Sequence, residues 1–288
     1  MRDMADFTPD VPQTPAPSRW RKLARVRPWV QTAMLGVWLA PLSEWLARVP
    51  SCVFHCYACP LASLACPVGV IANFSAWHMF PYLAVGILLA VGAAVGSLVC
   101  GWACPFGFIQ DLLERLPLPK FRLPNWTGYG RYVMLLGAVI LVPWFWGEAA
   151  TLFICRICPA GALEAAVPRM FLNAVGVGPI ITMSDVKWVI LVVFLLSAVV
   201  TFRPWCKVFC PLGGFLSLFN HLSLFRLQYS AEGCTECNTC RSRCRMGGEV
   251  ERKVNTGKCI RCTECTTCGA IEPAVATWRK QLPPPPKL

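Results

Sequence analysis

Residues 79–105 read MFPYLAVGILLAVGAAVGSLVCGWACP, an uncharged apolar run that ends in two cysteines four residues apart, with proline after the second. A helix needs about 20 apolar residues to cross a hydrocarbon core roughly 30 Å thick, so 79–99 predicts a membrane span with a pair of thiols at its end. Three further runs share this character, near 30–47, 131–147 and 186–202. The first and third are short and contain Pro41 and Pro143, so each taken alone suits a buried or re-entrant segment as well as a span. The second and fourth read as spans outright.

Composition agrees: the chain has 288 residues, 56% hydrophobic and 15% charged, where a soluble domain carries nearer a quarter of charged residues. The first apolar run lacks a small-residue cleavage pattern and follows a proline-rich tail, so it reads as a retained helix rather than a signal peptide. Residues 1–18 lack periodicity and read as disordered. Lysine and arginine near helix ends stay cytoplasmic. With the N-terminus inside, the outer segments keep only Arg48, Arg156, Arg169 and Lys187. This predicts a multi-pass protein of the bacterial inner membrane with both termini cytoplasmic. The formal charge of +12 is then a topology signal, and nothing calls for nucleic acid.

With cysteines as landmarks an internal repeat emerges. Each half reads span, outer cysteine-proline motif, span, inner Cys-x3-Cys-Pro and glycine. The first half has Cys59-Pro60, Cys66-Pro67 and Cys100-x3-Cys104-Pro105; the second has Cys155-x2-Cys158-Pro159 and Cys206-x3-Cys210-Pro211. Both halves enter from one side, so the repeats are expected to be parallel, with the inner motifs meeting at one face and the outer motifs at the other. Cysteines at i and i+4 share a helix face, and the following proline is read as ending the helix. Four thiolates, Cys100, Cys104, Cys206 and Cys210, are enough for one iron-sulfur cluster; the alternative is four buried, reduced thiols. The outer set is Cys52, Cys56, Cys59, Cys66, Cys155 and Cys158, for which a metal centre, redox-active thiols and structural disulfides all stay open. Apolar stretches at Phe106–Leu116 and Leu212–Phe225 suit amphipathic helices at the inner interface.

The densest group lies at the C-terminus, where Cys234-x2-Cys237-x2-Cys240-x3-Cys244 precedes Cys259-x2-Cys262-x2-Cys265-x2-Cys268. In two-cluster ferredoxins three close thiolates wrap one cubane and the fourth cysteine of each run ligates the other. Cys234, Cys237, Cys240 and Cys268 are thus expected on one [4Fe-4S] cluster, and Cys259, Cys262, Cys265 and Cys244 on the second. Arg245 and Gly269 stand where proline is usual, and the last spacing is one residue short, which puts Cys244 and Cys268 in doubt. Paired structural zinc sites are the bland alternative. No C-x-x-C-H motif is present, and no histidine lies mid-span, which argues against haem. No glycine-rich dinucleotide fingerprint follows a strand. Glu44, Glu148, Asp111, Glu114 and His221 are candidates for proton or quinol chemistry, against a plain interfacial role.

On the Cys-x3-Cys-Pro pairs at 100–105 and 206–211 and the C-terminal runs, the chain resembles the NapH-type polyferredoxin membrane proteins, a group with the NosR core, MauN and the CcoG type, over roughly residues 30–270. The resemblance implies electron transfer from the quinol pool or a cytoplasmic donor to a periplasmic redox protein (an iron-sulfur protein, cytochrome or reductase), or reduction of metal ions such as copper. It also implies a subunit of a quinol-linked oxidoreductase. The expected organisation is a 1–18 tail, an all-α membrane domain at 19–226 with four transmembrane helices in two parallel repeats, a small α+β two-cluster ferredoxin-like domain at 227–280, and a proline-rich end at 281–288. Two alternatives stay open: a thiol relay that reduces periplasmic disulfides, and a soft-metal reductase, chaperone or transporter.

Overall fold

The computed structural model describes residues 21–39, 66–167, 170–171, 176, 184–230, 234, 238–247, 254–267 and 270–275. The expectations placed on Glu44, Cys52, Cys56, Cys59, Cys237 and Cys268, and on the two ends of the chain at 1–18 and 281–288, lie outside the described residues.

Proline punctuates the helices. After α1 (Arg21–Leu39), α2 (Pro67–Ala76) begins on a proline, and so does α5 (Pro105–Leu113) after α3 (Tyr82–Val95) and the short α4 (Leu98–Trp102). In the second half α6 (Asn125–Trp146) and the short α7 (Ile154–Ile157) precede α8 (Asp185–Val200), α9 (Pro204–Val208) and α10 (Pro211–Leu218). A proline in the first turn sacrifices only an amide that no helical carbonyl would have reached. Its ring pushes the preceding residue into the extended region. Cys66, Cys104 and Cys210 are those residues, all extended, and the sulfurs of the last two accept from Gly107 N and Gly213 N, each at 3.4 Å. The proline therefore starts a new helix and does not simply end the old one. The two cysteines of each inner pair sit on different elements, one inside α4 or α9 and one capping α5 or α10.

The expected four transmembrane helices in two parallel repeats are overturned. Among the described residues one helix, α6 with 22 residues, is long and apolar enough to cross a membrane. The run at 79–99 is divided, because α3 has 14 residues between Pro81 and Gly96, whose φ of 55° redirects the chain into α4. The run at 186–202 yields 16 residues in α8, ended by an extended Thr201 ahead of Arg203-Pro204. The run at 30–47 meets α1, which opens on Arg21, Lys22, Arg25 and Arg27, and continues beyond the described residues. The stretch at 131–147 is the one that forms the long helix. It widens to a π-turn at Gly137–Leu141 just before Pro143, where an amide donor is missing. The segments expected as amphipathic helices each have a buried face, with Phe106, Phe108, Gln110, Asp111, Leu212, Leu216 and Ser217 turned to the interior, and an exposed one that carries Leu112, Leu116, Leu218, Leu222 and Leu224.

The main core joins α2, α3, α5, α6, α8 and α10, with Phe106 stacked on Phe194 at 5.0 Å and Trp205 edge-on to both. Beyond it β1 (Phe225–Tyr229) pairs antiparallel with β2 (Ile271–Val275), setting Leu227 opposite Pro273. The strands bracket both C-terminal cysteine runs and the short helix α11 (Thr239–Arg243), and close a second core of Leu227, Ala270 and Ile271 with Cys240 and Cys265.

Four arginines, Arg27, Arg131, Arg203 and Arg261, are almost wholly buried, and three of them tie helices to the C-terminal loops. Arg261 donates to Val95 O, Asn220 O and Ser223 Oγ, and lies over the Phe225 ring. Arg131 reaches Gly257 O, and Arg27 pairs with Glu264 at 2.7 Å.

Candidate metal centres

Cys244, Cys259, Cys262 and Cys265 line one cavity, with Leu227, Met246, Val254 and Ile260 as its apolar wall. The three close cysteines of the second run are thus joined by the last cysteine of the first. Two links in the second run carry a left-handed residue, Arg261 (φ 50°) and Thr263 (φ 60°), and Asn238 (φ 52°) does the same between Cys237 and Cys240. Such residues cost of order 1 kcal/mol each without glycine. In return they turn backbone amides inward as an anion-binding nest: Arg261 N donates to Cys259 Sγ at 3.4 Å, and Glu264 N donates to Cys262. Cys244 has φ −72° and ψ 105°, nearly the values of Cys210 before Pro211 (−72° and 107°), although Arg245 follows it. The arginine keeps the turn and adds a cation.

The second thiol set is built by the two inner motifs. Cys100, Cys104, Cys206 and Cys210 are all buried and near enough to affect one another's ionisation. Burial, then the neighbouring sulfurs, pushes the Cys104 and Cys210 thiols well above their ordinary range, and burial pushes Cys259 up to about 12. Gln110 Nε2 donates to Cys206 Sγ at 3.1 Å. The indole N–H groups of Trp102, between Cys100 and Cys104, and of Trp205, just before Cys206, are buried without a partner among the described residues. Orphaned donors beside grouped thiols fit a bound anionic cluster. Among the described residues no three His, Cys, Asp or Glu side chains converge as a single metal ion requires, whereas a cubane spreads its ligands over a wider body.

Between the two sets lies a buried ion cluster. Asp111 accepts from Arg203 Nε at 2.6 Å and Nη2 at 2.5 Å, from Arg27 Nη2 at 2.5 Å, and from Arg245 at 3.2 Å. Arg245 also pairs with Glu114 at 2.9 Å. Burial alone would raise the Asp111 carboxyl, but the Arg203 guanidinium, with Arg27 and Arg245, outweighs it and holds Asp111 well below the usual carboxylate range. Burial raises Glu114. Arg203 is left-handed (φ 44°), immediately before a proline, and its charge acts on both Cys206 and Cys262.

The outer motifs come together in part. A side chain at Gly69 in α2 would sit 3.5 Å from Cys155 Sγ and 4.0 Å from Cys66 Sγ, so both thiols face that bare helical turn. Cys158 is buried in the main core, while Cys155 is exposed. Of the remaining candidates, Glu148 and His221 are exposed. Glu164 was missed by sequence reading: it is buried in a π-turn at Gly161–Ala166 and acts on Cys104. The signal was a lone carboxylate in an apolar stretch after Cys158-Pro159.

A family described as a 4Fe-4S binding domain matches residues 77–124 and 188–229, each stretch holding one Cys-x3-Cys-Pro motif. An uncharacterized protein of Methanocaldococcus jannaschii is 29% identical over 211 residues, covering 68% of this chain and 79% of that protein. The methylamine utilization ferredoxin-type protein MauN of Methylorubrum extorquens is 33% identical over 61% of this chain and 54% of its own length. The regulatory protein NosR of Stutzerimonas stutzeri is 24% identical over 66% of this chain and 26% of its own. The chain therefore spans about half of MauN and a quarter of NosR. No solved structure matches. Motifs and matches together define an iron-sulfur protein of the ferredoxin type. Within that class the chain is similar to the NapH/NosR/MauN-type polyferredoxin proteins.

Proposed function

We propose that this protein is a membrane-associated electron carrier that passes single electrons between a cytoplasmic donor or the quinol pool and a periplasmic redox protein. One observation carries the reading: two sequence-distant thiol sets, a buried one from the inner motifs and one from the C-terminal runs that lines a cavity, adjoin where Gly101 packs against Ile260 and Cys262. A bound [4Fe-4S] cluster supplies a one-electron couple. Cys100, Cys104, Cys206 and Cys210 would hold one, and Cys244, Cys259, Cys262 and Cys265 another. Cys234 and Cys240, with Cys237 and Cys268, would hold a third. The chain's part is to exclude water, direct N–H groups at the sulfurs and fix the distance between sets. Membrane association is supported by α6 and by the exposed apolar side chains of α3, α6 and α8, including Leu83, Val133, Leu136, Val189, Val193 and Leu196. Such apolar surface exceeds what a soluble monomer leaves in water.

Iron and sulfide quantification with EPR on anaerobically purified protein tests the reading. At four irons per cubane, about eight irons corresponds to the C-terminal runs alone, and about twelve adds the inner motifs. A colourless, iron-free protein overturns it.

A second reading, a thiol relay, draws on the exposed Cys155 beside Cys66. A reversible disulfide between these two, detected by alkylation before and after reduction, supports it; sulfurs that stay protected after reduction refute it.

A further inference from the structure

Gly101, the residue after Cys100, is where the two thiol sets touch. A Cβ there would lie 2.6 Å from Ile260 O, 3.1 Å from Cys262 N and 3.1 Å from Cys262 Cα. Real Cβ atoms do not approach a backbone oxygen so closely, and neither partner is a side chain that can swing aside. The backbone of α4 thus lies against the Ile260–Cys262 segment with nothing between them. Each face of this contact is, or directly adjoins, a cysteine of one site: Cys100 on one side and Cys262 on the other.

The approach is clamped from several directions. Gly101 O accepts from Arg27 Nε at 2.9 Å and from Gln31 Nε2 at 3.1 Å. At the N-cap of α4, Ser97 Oγ donates to Cys259 O at 2.6 Å. Asn220 Nδ2 donates to the same carbonyl at 2.8 Å, and Asn220 Oδ1 accepts from Ser97 N at 3.1 Å. Arg203 donates to Cys100 O at 3.2 Å while its charge reaches Cys262.

We propose that Gly101 is the positioning residue of intersite electron transfer: its missing side chain sets the separation between the inner-motif site and the Cys244/Cys259/Cys262/Cys265 site. This rests on the electron-carrier reading above. In the step, one electron leaves one site and enters the other, with no bond made or broken and no proton moved. A packing glycine alone would need no cysteine neighbour on both faces; Gly92, for comparison, receives the ring of Phe219.

EPR of anaerobically purified, fully reduced protein provides the test, because magnetic interaction between neighbouring reduced clusters splits their signals and falls steeply with distance. Gly101→Ala is expected to reduce the splitting with iron content unchanged. Gly86→Ala, at a helical position with open space around it, is expected to leave both as in wild type. Equal splitting in Gly101→Ala and wild type overturns the proposal. Should Gly101→Ala lose iron, Ser97→Ala, which removes one of the two donors to Cys259 O without a clash, is expected to weaken the splitting, and an unchanged signal there overturns the proposal equally. About twelve irons without splitting in wild type defeats this inference alone, whereas absence of iron defeats the electron-carrier reading.

Discussion

Asp111 is held by three guanidiniums in a site with almost no access to water. Removing one partner of such a cluster strands the others, at a typical cost of about 3–5 kcal/mol. Asp111→Asn is therefore expected to lose stability on that scale in denaturant unfolding in detergent. The folded-state pKa is depressed, so the stabilisation is complete above the ordinary carboxyl value of 3.8 and is withdrawn as pH falls below it. Acid unfolding of Asp111→Asn followed by tryptophan fluorescence should accordingly show a flatter dependence below pH ~4. Gln110 offers a cleaner functional probe. Its Nε2 donates to Cys206 Sγ while its Oε1 is buried without a partner, so Gln110→Leu removes an orphan along with the bond and should cost little stability. Losing a donor to sulfur disfavours the reduced, more negative state, and the inner-site midpoint should fall by roughly 30–60 mV in an EPR-monitored titration, at 59 mV per 1.4 kcal/mol. At this scale the cysteines were legible from spacing, but the arginines and glutamine between them were not. Decisive partners lie far off in sequence, 96 residues away for Gln110–Cys206 and 237 for Arg27–Glu264.

The Cys-Pro turn recurs as an element. Cys104 and Cys210 share one geometry, in which an extended cysteine caps a helix that opens on proline. Cys244, at the C-terminal end of α11, reaches the same φ and ψ with Arg245 in proline's place, so a following proline favours this conformation without being required for it. Pro211→Ala is therefore expected to keep its cluster and to lose only about 0.4–1 kcal/mol, the effect of a freer unfolded chain, measured by iron content and thermal unfolding. Cys210→Ser, in contrast, should lower iron by about four per chain while the spectrum of the C-terminal sites persists. The sequence located these turns correctly and reversed their sense, because a proline that ends one helix and one that begins the next look alike until the backbone direction is known. Windowed hydropathy erred similarly: Pro81, Gly96 and Thr201 cut the two runs that read as spans, while the stretch interrupted by Pro143 continued through a π-turn into α6.

Across the whole molecule, buried arginines hold the C-terminal loops to the helices. Arg261→Ala would orphan three acceptors, Val95 O, Asn220 O and Ser223 Oγ, at about 1–3 kcal/mol each where no water replaces the donor. Faster amide exchange across 254–267 than in wild type is the expected consequence; unchanged exchange would show that the loops are held without it. The sequence by itself determined the number and spacing of the thiols and the kinship of the inner motifs, and it raised the expectation that Cys244 joins Cys259, Cys262 and Cys265, with which it lines one cavity. Those features are written in local spacing, which a single chain displays directly. Only the tertiary structure decided how the apolar runs divide into helices, that Asp111 is an ion-pair hub rather than an interfacial charge, and that Gly101 meets Cys262. Such contacts arise when distant segments are packed to exclude water, and no periodicity along the chain encodes which backbone will lie against which.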